Sequence, residues 1–114
     1  MKYQGGPYFY PTITGDTMQT LSQIITTLQQ HKKTLHDRYK VERLGVFGSY
    51  VRGDTHSGSD VDLLIEFYEP VSLLALVSVE NYISDILGIK ADVVPEEDLR
   101  VELRERVLRD AVFV

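Results

Sequence analysis

The sequence predicts a small α/β domain whose sheet is covered by helices on at least one face. Two observations lead there. Three short segments, 41–47, 60–67 and 89–94, are rich in apolar and β-branched residues, while 18–35 carries apolar residues at helical spacing and 73–87 is long enough for a second helix. Glycine or proline punctuates most of the junctions, at Gly48, Pro70, Gly88 and Pro95. The expected order is helix, strand, short helix, strand, helix, strand, helix.

The opening stretch MKYQGGPYFYPTITG mixes prolines, glycines and aromatics without a period, so residues 1–17 are expected to form an irregular arm and 18–114 the domain. Asp16 or Thr17 is placed to cap one amphipathic helix on which Met18, Leu21, Ile24, Ile25, Leu28 and Leu35 recur. Its other face, with Gln23, Gln29, Lys32, Lys33 and Asp37, is a solvated surface. Val41 to Phe47 has the alternation of a strand and stops at Gly48. Tyr50 to Ser59 has room for one helical turn and a polar loop. Asp60 to Phe67 then sets Asp60 and Asp62 against Val61, Leu63 and Ile65, a strand with one charged and one buried face at its start. Leu73 to Leu87 is a helix ended by Gly88; its first half, LLALVSV, suits either core packing or a docking surface. Ile89 to Val94 is a third strand, and a charged helix runs from about Glu97 to Asp110, its arginines reading as a solvated, salt-bridged face.

At 114 residues the chain fits a single core. With 43% apolar and 25% charged residues it has the composition of an ordinary globular protein. A net charge of −5 argues against direct binding to DNA or to RNA backbones, which requires a positive footprint. With no cysteine, disulfides and thiolate metal sites are excluded. No basic-then-apolar leader opens the chain and no apolar run approaches the roughly 20 residues of a membrane span, so a cytoplasmic protein is expected.

Chemistry concentrates in Gly48 to Asp62, GSYVRGDTHSGSDVD. The Gly48-Ser49 pair lies between a strand and a short helix, where backbone N–H groups can hold a phosphate and glycine allows close approach. Ser49 adds a hydroxyl. Arg52 offers a guanidinium either to a phosphate or to Asp54 or Asp60. Asp60 and Asp62, two apart on a strand, share one face. At about 4 Å in a partly buried site their repulsion is on the order of 4 kcal/mol, which a hard divalent cation relieves; oxygen-only ligands point to Mg²⁺ or Mn²⁺. Asp92, mid-strand among apolar neighbours, is the favoured third carboxylate. Glu66 competes but lies about 13 Å from Asp60 at strand rise. His31 and His36 fit ordinary surface or core use, while His56, in the loop before the carboxylates, fits an exposed loop position or a contact with substrate.

The stretch GSYVRGDTHSGSDVDLLIEF closely resembles the signature of the minimal nucleotidyltransferases of the DNA polymerase β superfamily, the MNT proteins: Gly-Ser, ten residues, then Asp-x-Asp. Gly48-Ser49, Arg52-Gly53, Ser59-Asp60, Asp62-Leu63 and Asp92 stand where that pattern has them, and LRVELRERVLRDAVFV resembles the usual ending. The resemblance spans 18–114 and implies a small mixed sheet flanked by helices. It also implies two Mg²⁺ ions on Asp60, Asp62 and Asp92, with Asp92 as general base and Gly48 and Ser49 on the triphosphate of ATP. MNT proteins of this size resemble the antitoxin half of HEPN/MNT toxin-antitoxin pairs. The implied activity is transfer of AMP from ATP to a tyrosine of a HEPN ribonuclease toxin, within a hetero-oligomer. Two other readings stay open: an antitoxin acting by complex formation alone, and a nucleotidyltransferase for a small molecule such as an aminoglycoside.

Overall fold

The structure is a computed structural model that describes residues 19–56 and 58–114. The arm 1–17, the caps expected at Asp16 or Thr17, and Met18 lie outside the described residues. Within them the first helix starts at Leu21, where Thr20 Oγ1 accepts the Gln23 N–H at 3.1 Å and Gln23 Oε1 accepts the Thr20 N–H at 2.8 Å. This reciprocal cap satisfies two donors that the first turn leaves without helical partners.

The single helix expected up to Leu35 is two helices, α1 (Leu21–Gln30) and α2 (Lys32–Tyr39). They part at His31, whose N–H donates to Leu28, three residues back, at 3.1 Å, and whose Nδ1 lies 2.9 Å from the Thr27 carbonyl. That tightened turn redirects the chain while Ile24, Leu28 and Leu35 all remain in one core. The remaining elements are β1 (Val41–Phe47), α3 (Ser49–Arg52), β2 (Val61–Phe67), α4 (Leu73–Leu87), β3 (Ala91–Pro95), a 3₁₀ turn (Glu96–Asp98), α5 (Val101–Asp110) and β4 (Val112–Phe113).

The sheet is mixed, in the order β3-β2-β1-β4, with β1 antiparallel to β2 and β4, and β2 parallel to β3. The parallel pair is joined through α4, as a parallel connection requires. Val61, Leu63 and Ile65 of β2, Leu44 and Val46 of β1, and Ala91 and Val93 of β3 pack into one core with Ile24, Leu28, Leu35, Val79, Ile83 and Leu87 of the helices. The period of two in the strands therefore sends Asp62, Glu66 and Asp92 to the opposite face.

Helix α4 has the predicted limits: Ser72 Oγ caps it through the Ala75 N–H at 3.1 Å, and Gly88 ends it. Its apolar first turn is not core. Leu73 is 75% exposed and Leu74 81%; Leu76 packs partly buried against the core, and full burial starts at Val79. The final helix α5 is solvated as expected, with ion pairs Arg100–Glu102 at 3.4 Å and Arg109–Asp110 at 3.8 Å. Among the described residues no helix is long and apolar enough to cross a membrane.

Strand β4 was not foreseen, and it closes against the outer edge of β1 through Gly45↔Phe113 and Val46↔Val112. The Phe113 ring lies over Gly45, where a Cβ would stand 2.7 Å from Cδ1, and Arg43 stacks 4.5 Å from the ring centroid. Gly45→Ala is expected to push the ring away and lower stability by about 1–3 kcal/mol, read as a fall in Tm by calorimetry. In a Phe113→Ala background the same change should cost less, because the atoms it meets are gone.

Candidate active site

The site is assembled where β1 ends. After Phe47 the chain turns at Gly48, with φ 79° and ψ −146°, into the single helical turn α3. Phe47 is the antiparallel partner of Asp62, so the carboxylate of Asp62 comes to lie against the Gly48 backbone. A side chain at Gly48 would overlap it: an ideal Cβ lies 3.1 Å from the Asp62 Cγ and closer still to Oδ2. Only the antiparallel register makes this contact, which is why fourteen residues of sequence separation close to nothing in space.

On the other side of Asp62, the parallel register with β3 pairs it with Asp92, so the two side chains share the sheet face away from the core. Asp60 stands just before β2, not within it, and the start of the strand is held by the Val61 N–H on the Lys90 carbonyl at 3.0 Å. The expectation that Asp60 and Asp62 are strand neighbours is corrected to that extent. Asp92 is also exposed, so its place among apolar neighbours reflects alternation of faces and not a costly burial.

The three aspartates are coupled electrostatically through Asp62. Partial burial is the largest influence pushing its carboxyl above the ordinary aspartate range, followed by the charges of Asp92 and Asp60, while Arg52 opposes them. Tyr50, buried beneath the turn, has its phenol raised by burial and then by Asp60. Among the described residues, no three carboxylates or histidines are drawn tightly enough to form a metal-holding group. The structure thus gathers Asp62 and Asp92 by register and places Asp60 nearby. Their donor set, carboxylate oxygen alone, suits a hard cation such as Mg²⁺ or Mn²⁺.

In front of Asp60 and Asp62 lies an open depression of about 460 Å³, also lined by Ser49, Arg52, Asp54, His56, Gly58 and Ser59. Its loop folds on itself: Ser59 Oγ accepts the His56 N–H and the His56 carbonyl accepts the Ser59 N–H, both at 2.9 Å. Arg52 pairs with Asp54, Nε to Oδ2 at 3.2 Å, at an exposed position on the rim. Of its two foreseen roles, this pairing is the one visible; such an exposed pair is weak and can be exchanged for a phosphate oxygen. Glu66 stands apart, 3.5 Å from Arg43. His31 packs edge-on to Tyr82 and His36 lies against Tyr68 and beside Asp37, and neither lines the depression. Asp54 was foreseen only as an ion-pair partner, and its place in the depression has no signal in the sequence beyond the polar character of the loop.

A family model described as nucleotidyltransferase domain matches residues 28–114. A protein adenylyltransferase, MntA, from Thermococcus cleftensis is 43% identical over 97 residues, covering 85% of this chain and 98% of its own. A solved structure of a candidate minimal nucleotidyltransferase superposes with a TM-score of 0.65 at 35% identity, covering 78% of this chain and 93% of its own. The MNT antitoxin fold seen with a tri-AMPylated Shewanella oneidensis HEPN toxin superposes with a TM-score of 0.58, over 79% of this chain and 70% of that one; at 18% identity the likeness is one of fold.

Proposed function

The chain belongs to the nucleotidyltransferase domain family, and on that premise we propose that it transfers AMP from ATP to a tyrosine hydroxyl of a HEPN toxin, silencing it as its antitoxin. The observation that carries this reading is the seating of Asp62 against the Gly48 turn, with Asp92 beside it in register. It brings the Gly48-Ser49 turn and two carboxylates to one end of the sheet, an arrangement suited to holding a triphosphate beside a cation. The 43% identity to an adenylyltransferase supports a protein as acceptor.

In this reading Asp60, Asp62 and Asp92 would hold Mg²⁺, two ions in all, and the bound metal would supply positive charge to stabilise the phosphoryl group in transfer. Gly48 and Ser49 bind the triphosphate through the backbone of the turn and the Ser49 hydroxyl, and Arg52 leaves Asp54 to meet a phosphate oxygen. The tyrosine oxygen forms a bond to the α-phosphorus, the bond from that phosphorus to the bridging oxygen breaks, and pyrophosphate leaves. The tyrosine proton passes to the Asp92 carboxylate, which is exposed on the open face and within reach of an incoming side chain. The partner supplies the acceptor and completes a depression too open to enclose a nucleotide alone.

Pyrophosphate release tests this. Mixed with ATP, Mg²⁺ and its HEPN partner, the protein is expected to release pyrophosphate until acceptor tyrosines are consumed, and to release little without the partner. The Asp60→Ala/Asp62→Ala variant should release none. Release that needs no partner protein but follows addition of a small-molecule acceptor would overturn the reading.

A further inference from the structure

Strand β3 is an edge of the sheet, so every second N–H along it faces away from β2 and has no strand to pair with. On either side of Asp92 these outward donors are taken up by one helix. Ser84 Oγ accepts the Ala91 N–H at 2.9 Å, and Glu80 Oε2 accepts the Val93 N–H at 2.9 Å. Glu80 and Ser84 are four apart on α4 and so share one face of it, matching donors two apart on the strand.

We infer that Glu80 and Ser84 are positioning residues for Asp92, clamping the backbone on both sides of it so that its carboxylate stays in register with that of Asp62. The inference rests on the reading of Asp92 as a metal ligand. β3 is held on its inner side by β2, through the pairs Val61↔Ala91, Asp62↔Asp92 and Leu63↔Val93. With the inner side fixed and the outer side clamped at 91 and 93, the backbone at 92 has no free direction in the plane of the sheet. Ala91 and Val93 are themselves buried, so their side chains anchor the same two residues into the core. None of Glu80, Ser84 and Asp92 lines the depression in front of Asp60, and Asp92 meets the site through its register with Asp62, so Glu80 and Ser84 would reach the site only through that register. Partners bonded directly to a metal ligand orient it, and their loss typically lowers metal affinity or activity about 10- to 100-fold; Glu80 and Ser84 act on the backbone either side of the ligand, at the lower end of that range.

The test uses the full chain, with Mn²⁺ alone as the probe, titrated by loss of the free-ion electron paramagnetic resonance signal, together with amide hydrogen exchange by NMR. Glu80→Ala is expected to speed exchange of the Val93 amide and Ser84→Ala that of Ala91, each weakening Mn²⁺ binding about 10-fold or more. Glu80→Gln keeps an acceptor oxygen at the same place and should bind Mn²⁺ within about threefold of wild type; it also serves should the alanine variant fold poorly. Faster exchange with unchanged Mn²⁺ affinity would overturn the inference and leave the two residues as edge protection only. A Gln variant as weak as Ala would also overturn it, by showing that charge and not the hydrogen bond matters. Wild-type protein that binds no Mn²⁺ would remove the metal-site reading itself, and this inference with it.

Discussion

Asp62→Asn is expected to abolish AMP transfer, by about 10³-fold or more, while making the metal-free protein more stable to heat. The first effect follows from removal of a carboxylate that would stabilise several kcal/mol of charge in the transition state through the metal it holds. The second follows from the neighbourhood of Asp62, half-buried and repelled by Asp92 and Asp60. Because its folded pKa is raised above the unfolded value, the folded chain holds a proton that unfolding releases. Stability is therefore greatest at low pH and is lost as pH rises from about 3.9, the unfolded value, through the raised folded value. The asparagine variant has no such loss. Calorimetry in EDTA between pH 4 and 7 should show wild type falling relative to the variant, by a few degrees at most since solvent screens a group this exposed. Added Mg²⁺ should raise the Tm of wild type and not that of the variant. Equal pH profiles for the two proteins would contradict the proposed crowding of charge.

Gly48→Ala should be almost as damaging to activity by another route. Its backbone lies close to a region that only glycine occupies readily, so alanine there costs on the order of 1–3 kcal/mol of stability. Its methyl group would also meet the Asp62 carboxylate and drive it from its place. A displacement near 1 Å at a reacting centre costs about 10²-fold, and that loss in transfer rate is expected even where the protein remains folded. Gly53→Ala is the control. Gly53 has φ 84° but open space where the Cβ would go, so it should lose stability from backbone strain and keep transfer within a few-fold. Equal activity losses in the two variants, measured at a temperature where both are folded, would show that the contact with Asp62 has no special weight.

Gly48 and Gly88 end their elements where expected, and α4 occupies its predicted span because Ser72 and Gly88 are strong local signals. Asp60, Asp62 and Asp92 stand out in the sequence as candidates, and the register of β2 with β3 pairs the last two. Features that depend on partners distant in sequence were not legible. Strand β4 is two residues long and exists only because β1 has an open edge and Gly45 leaves room for Phe113. The break at His31 leaves the apolar spacing of Ile24, Leu28 and Leu35 intact, so periodicity could not show it. The contact of Gly48 with Asp62 needs the β1–β2 register, and the bonds from Glu80 and Ser84 need the packing of α4 along β3.

Intact mass spectrometry of the proposed HEPN partner, after incubation with this protein, ATP and Mg²⁺, decides whether AMP is transferred. A gain in whole AMP units is expected with wild type, located on a tyrosine by fragmentation, and none with Asp60→Ala/Asp62→Ala. A stable complex in which the partner gains no mass with either protein would contradict it, and would make this chain an antitoxin that acts by binding alone.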